Sequence, residues 1–164
     1  MISKQDLLDM MLRECRIILH LHGKIPADSL DFSFTPPQRN TLDLLRYLSF
    51  VALGSTHALL DGTFDKYQEM AKQAEELSAD AFPQAMQSQM EGLTALFEQF
   101  SDADLADREV KLPWDEVTSL GRALLMFPHG CLVAYRMQLF LHAKGAGNTE
   151  IGTANCWAGM DMPT

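Results

Sequence analysis

The sequence is poor in cysteine, with Cys15, Cys131 and Cys156 widely spaced and no CxxC pair. An odd, scattered set argues against a disulfide framework and a zinc finger. Basic residues are also scarce, 13 against 22 acidic ones, giving a formal charge of −9. Phosphate contacts need a basic face, so no nucleic-acid partner is expected. The run Leu124-Leu125-Met126-Phe127 stops at Pro128 and His129. No unbroken apolar run approaches the ~18 residues of a membrane span, so no membrane partner is expected either. The opening Met1-Ile2-Ser3-Lys4-Gln5-Asp6 is polar and mixed in charge, which predicts no secretory leader. Together with the thiols, this predicts a soluble protein in the reducing cytoplasm. Walker A, GxGxxG, GxSxG and EF-hand patterns are all missing.

What is present is apolar: 47% of the 164 residues are hydrophobic, enough for one core in a single domain over 1–164. Disorder would need low hydrophobicity with high charge. Ten methionines suit an adaptable helical core. The charge is uneven. Residues 61–109 hold three basic and twelve acidic side chains, so the whole −9 lies there. That stretch reads as a solvated face.

Helical periodicity predicts an all-α four-helix bundle with a crossover. Helix one spans about 3–22, opened by Ser3 with Asp6 and closed at Gly23. Pro26, Pro36 and Pro37 make 24–39 a long loop. Helix two covers about 41–60, and a short helix follows over about 65–77 with Tyr67 on its inward side. Helix three covers about 81–100, its stripe being Phe82, Met86, Met90, Leu93, Phe97 and Phe100. An acidic loop at 101–107 and a short strand near 108–112 precede helix four, about 118–144. Pro128 should kink that helix. Its apolar residues occupy most sides, which implies burial inside the bundle or against a second subunit. The tail, 145–164, is expected to pack as ordered coil.

Chemistry-bearing residues are sparse. His20 and His22 point apart on a helix, His57 stands alone, and His129 and His142 lie on different sides of helix four. No HxxxH or ExxH pair exists, so one helix cannot deliver two metal ligands. Each histidine reads most simply as a surface or core imidazole. Cys131 is either a small buried hydrophobe or a nucleophile. The second reading requires a thiol pKa lowered by a cation such as His129 or Arg136.

Two segments carry a resemblance. One is Lys24-Ile25-Pro26 followed by Pro36-Pro37-Gln38-Arg39-Asn40-Thr41-Leu42-Asp43-Leu44-Leu45-Arg46-Tyr47-Leu48. The other is His129-Gly130-Cys131-Leu132-Val133-Ala134-Tyr135-Arg136-Met137-Gln138-Leu139-Phe140-Leu141. Together with the order of elements, they resemble the DinB/YfiT-like superfamily. That resemblance implies an up-down-down-up four-helix bundle, commonly a homodimer. In metal-bearing members, one histidine from helix two and two from an HxxxH-Arg-x-Gln motif on helix four bind the metal. Those positions fall here on Tyr47, Cys131 and Tyr135, so the resemblance implies a degenerate metal site. Phenols with an ordinary pKa of ~10 are poor ligands for zinc or nickel. What remains is a candidate small-molecule pocket at Tyr47, Cys131 and Tyr135, with His129 and Gln138 as neighbours and no metal or other cofactor. The phenols could equally tie the helices together by hydrogen bonding. The expected function is therefore metal-free, non-catalytic and dimeric. The alternative is a transferase or isomerase using a low-molecular-weight thiol and a divalent metal such as Zn or Ni, held in a rearranged site that includes His129.

Overall fold

Ser3 caps the first helix. Its hydroxyl accepts from the Asp6 backbone N–H at 3.1 Å, and the Asp6 carboxylate accepts from the Ser3 N–H at 3.0 Å. This reciprocal pair starts α1 at Lys4–His22. The computed structural model describes residues 2–162.

The continuous helix expected over 41–60 is broken into α2, Thr41–Leu48, and α3, Val51–Asp61. Neither proline nor glycine causes the break. Instead the side-chain amide of Gln89 enters the helix ladder. Its Oε1 accepts from Ala52 N at 3.0 Å and Leu53 N at 3.2 Å, and its Nε2 donates to Leu48 O at 2.9 Å. The Ala52-to-Leu48 bond of a regular helix is thereby replaced by a bridge through the amide. At the other end of α3, Gly62 takes a left-handed φ of 71°, which closes the helix without a Cβ penalty.

After α4, Asp65–Ala74, comes α5, Phe82–Phe97, with Pro83 tolerated in its first turn. The expected stripe of α5 faces the core: Phe82, Met86, Leu93, Phe97 and Phe100 are buried and Met90 is half-buried. The acidic loop expected at 101–107 is a helix, α6, Asp102–Asp107. Ser101 and Asp104 cap it reciprocally, a two-residue signal as specific as the one at Ser3. Strand β1, Glu109–Lys111, pairs antiparallel with β2, Val117–Ser119, so that Val110 faces Thr118. The fourth unit therefore starts at Leu120, two residues later than expected, because Val117–Ser119 belongs to the hairpin.

That unit runs as α7, Leu120–Leu124, a π turn, Leu125–His129, and α8, Gly130–Gly145. Pro128 has no N–H and would break a regular ladder. The chain widens instead, and the Gly130 N–H reaches the Leu125 carbonyl five residues back. The tail is not coil throughout: Thr153–Ala158 forms α9, ended by Gly159 at φ 64°.

Helix α1 packs on α5 and α8, while α2 and α3 pack on α8 and α5 from the other side. Units consecutive in the chain, α1 with α2–α3 and α5 with α8, thus occupy opposite corners, and 23–40 and 98–119 cross the bundle. The acidic residues of 61–109 are exposed apart from half-buried Asp104. The 26-residue stretch Leu120–Gly145 is long and apolar enough, at a mean hydropathy of 1.2 over its best window, to cross a membrane by length and composition. It carries the buried, ion-paired Arg136 and packs on α1, α2 and α3, which marks it as a bundle helix.

Candidate functional site

The two interruptions of the helices bracket one cluster of side chains. Tyr47 lies in the last turn of α2, just before the Gln89 bridge. Cys131 and Tyr135 follow the π turn in the first half of α8, four residues apart and therefore on one face. The Tyr47 and Tyr135 rings meet edge to face with centroids 4.8 Å apart. The three positions inferred by resemblance converge.

Two further residues complete the cluster. Tyr67 enters from α4, and Gly54 lets it approach: a Cβ at Gly54 would lie 3.1 Å from its ring. Tyr67 and Cys131 are close enough to the Tyr47 phenol to influence its ionisation. Arg39, immediately before the Asn40 cap of α2, lays its guanidinium 4.1 Å from the centre of the Tyr47 ring and 5.7 Å from that of Tyr135. In the sequence Arg39 stands in the proline-rich loop without a pattern to give it a role, and Tyr67 has the helical spacing of a core residue. Only the fold shows that they meet.

Burial sets the protonation of the cluster. It pushes the Tyr47 phenol above its ordinary value, reinforced by neighbouring Cys131 and Tyr67. Burial also raises Tyr67. The Cys131 thiol is raised as well, because burial outweighs the lowering effect of Tyr47 and of the Arg39 charge. All three stay protonated at neutral pH, and Cys131 lacks the lowered pKa that thiol catalysis needs.

A divalent ion does not fit this donor set. Three phenols and one thiol, with no imidazole or carboxylate among them, are poor ligands for zinc or nickel, and the Arg39 guanidinium adds a positive charge 4.1 Å from the centre of the Tyr47 ring. Among the described residues, no group of three His, Cys, Asp or Glu side chains is placed to hold a metal.

His129 does not join the cluster. Burial lowers its pKa, opposed by Glu14 and assisted by Arg136, so it belongs with that buried ion pair beside α1. Other histidines are engaged elsewhere: His22 with Ala79 O at 3.0 Å, His142 with Thr41 Oγ1 at 3.1 Å, and His20 with Asn155 at 3.1 Å. Gln138 stays near the cluster, its Nε2 3.5 Å from His142 Nε2.

Between the 34–39 loop and α8 lies an open cleft of about 860 Å³, within the range of small-molecule sites. Phe34, Pro37, Arg39, Tyr135, Gln138 and Leu141 line it. The cluster forms its polar edge through Arg39 and Tyr135.

No family model and no curated protein matches the sequence. Among solved structures, a DinB-like protein from Bacillus subtilis is similar at a TM-score of 0.69 and 20% identity, covering 90% of this chain and 96% of that one. The chain has the DinB-like fold, mostly helical with one small two-stranded hairpin.

Proposed function

We propose that this protein is a metal-free, non-catalytic DinB-like bundle that binds a small organic molecule in the cleft beside Tyr47, Cys131 and Tyr135. One observation carries this reading: the positions where metal-bearing relatives place histidines hold two phenols and a thiol, with Arg39 stacked over both rings. A cation and neutral donors disfavour a metal, yet they suit an organic ligand that offers acceptors and an apolar surface. The three free thiols support a reducing, cytoplasmic setting.

The test is elemental analysis after incubation with zinc and nickel salts and desalting. No stoichiometric metal is expected. One equivalent of tightly held metal, lost on Cys131→Ala or His129→Ala, overturns the reading and restores the thiol transferase alternative.

We further infer a homodimer. Only 28% of the most apolar window of Leu120–Gly145 is buried within the chain, and Trp114, Val117 and Met126 are exposed near its start. A second copy of the same face is the occupant that this reading assigns. Light scattering at micromolar concentration should give the dimer mass, and Met126→Glu should shift it toward monomer. A monomeric parent protein contradicts the inference.

A further inference from the structure

We infer that the cleft takes a monocarboxylate with an apolar body, its carboxylate seated on Arg39. This rests on the cleft being a ligand site and adds the chemical class of the ligand. Arg13, Arg46, Arg122 and Arg136 each face a carboxylate within the protein. Among the described residues, Arg39, like Arg16 and Arg108, faces none, and of these three it is Arg39 that lines the cleft. Its guanidinium carbon lies 4.1 Å from the centre of the Tyr47 ring, and its N–H groups make no hydrogen bond with another described residue. A guanidinium resting against an aromatic ring keeps donors free for the two oxygens of a carboxylate.

The rest of the lining sets the body of the ligand. Phe34 and Leu141 are about half exposed at the cleft, and Pro37, Ala134 and Met137 extend the same apolar wall. Gln38 and Gln138 add neutral polar groups at its edge. The charge of the site favours a monoanion. Arg46, the next nearest cation along the chain, is occupied by Asp43 at 3.1 Å and by the Leu77 carbonyl at 3.1 Å. The adjoining hollow that Arg39 shares also contains the Asp43–Arg46 pair, which is neutral together, and Glu75, whose carboxylate disfavours a second negative charge on the ligand. One unpaired cation, with a single uncompensated acid nearby and an apolar wall beside it, favours one negative charge on an apolar chain.

A different groove supplies an internal control. Ile2, Leu7, Leu105 and Leu125 line an apolar hollow of about 390 Å³ whose charged lining residue is Asp102, with no cation among the described residues that line it. An apolar molecule that binds without regard to charge should enter either place; a carboxylate should avoid the second.

The experiment compares hexanoate with its neutral isostere hexanamide on the full chain, by calorimetry and by NMR of 13C-methyl methionine. Hexanoate should shift the Met137 methyl and bind about tenfold or more tightly than hexanamide, the size of one charge-assisted contact. Arg39→Gln should remove that advantage by weakening hexanoate about tenfold more than hexanamide, and inorganic phosphate should not displace hexanoate. Equal binding of the two probes at Met137 overturns the carboxylate assignment and leaves the ligand-site reading standing. Displacement by phosphate, shifts confined to the Leu105 groove, or no shift at Met137 with either probe also overturns it. The comparison of probes on the unaltered protein holds even where Arg39→Gln perturbs folding. Stoichiometric metal in the elemental analysis strikes the broader reading alone.

Discussion

Gln89→Leu is expected to destabilise the fold by about 3 kcal/mol or more, read as a lowered unfolding free energy in urea. Leucine nearly matches the volume, so packing is largely retained, but the amide's three hydrogen bonds to the backbone and its bond to Met86 Sδ are lost. Ala52 N and Leu48 O then stand unpaired in a buried place, each such group costing about 1–3 kcal/mol, and Leu53 N loses its partner in a half-buried one. The chain has one escape. Closing the regular Ala52-to-Leu48 bond would straighten α2 into α3 and recover part of the loss. Straightening would also move Tyr47 away from Tyr135 and Arg39, so a smaller loss should come with an altered near-ultraviolet tyrosine signal. A loss below about 1 kcal/mol with an unchanged tyrosine environment would show that the amide does not support the break.

That break shows where the sequence was legible and where it was not. Helix periods, the Ser3 cap, the proline-rich loop and the stripe from Phe82 to Phe100 are local signals, each carried by residues a few positions apart, and they locate the bundle. The site depends on residues far apart in the chain. Gln89 and Leu48 are 41 positions apart, and nothing around Ser49 or Phe50 announces a discontinuity. Tyr67 read as core because its helical spacing is right, yet its partners lie on α2 and α8. Arg39 sits in a loop with no period at all, so stacking on Tyr47 has no trace in pattern. The π turn is intermediate: Pro128 announces a disturbance, but a kink and a widened turn both satisfy a missing donor. Resemblance alone brought Tyr47, Cys131 and Tyr135 onto one list, and the fold places their side chains together.

The largest expected effect on stability lies on the other side of α8. Glu14 and Arg136 are 5% and 2% exposed, and Arg136 Nη1 lies 2.9 Å from one carboxylate oxygen and 3.2 Å from the other. Trp157 covers the pair, its ring centre 5.1 Å from the guanidinium. Removing one partner strands a charge from which water is excluded, so Arg136→Met or Glu14→Gln should each cost about 3–5 kcal/mol. Removing both charges is a different experiment. Arg136 Nε has no hydrogen-bond partner among the described residues, so the pair is not fully compensated where it stands. Glu14→Leu combined with Arg136→Met should therefore recover most of the single losses and equal or exceed the parent in urea. Additive losses in this double-mutant cycle would instead mean that the two charges act independently, each held by other groups such as Arg13 and Trp157. A strongly non-additive cycle identifies a self-contained pair whose partners stabilise each other more than they stabilise the bundle. The site on the opposite face of α8 should then be insensitive to the double substitution. Tyr135 and Arg136 are neighbours in sequence but face different interiors, so hexanoate binding measured on the double variant should match the parent while its stability changes.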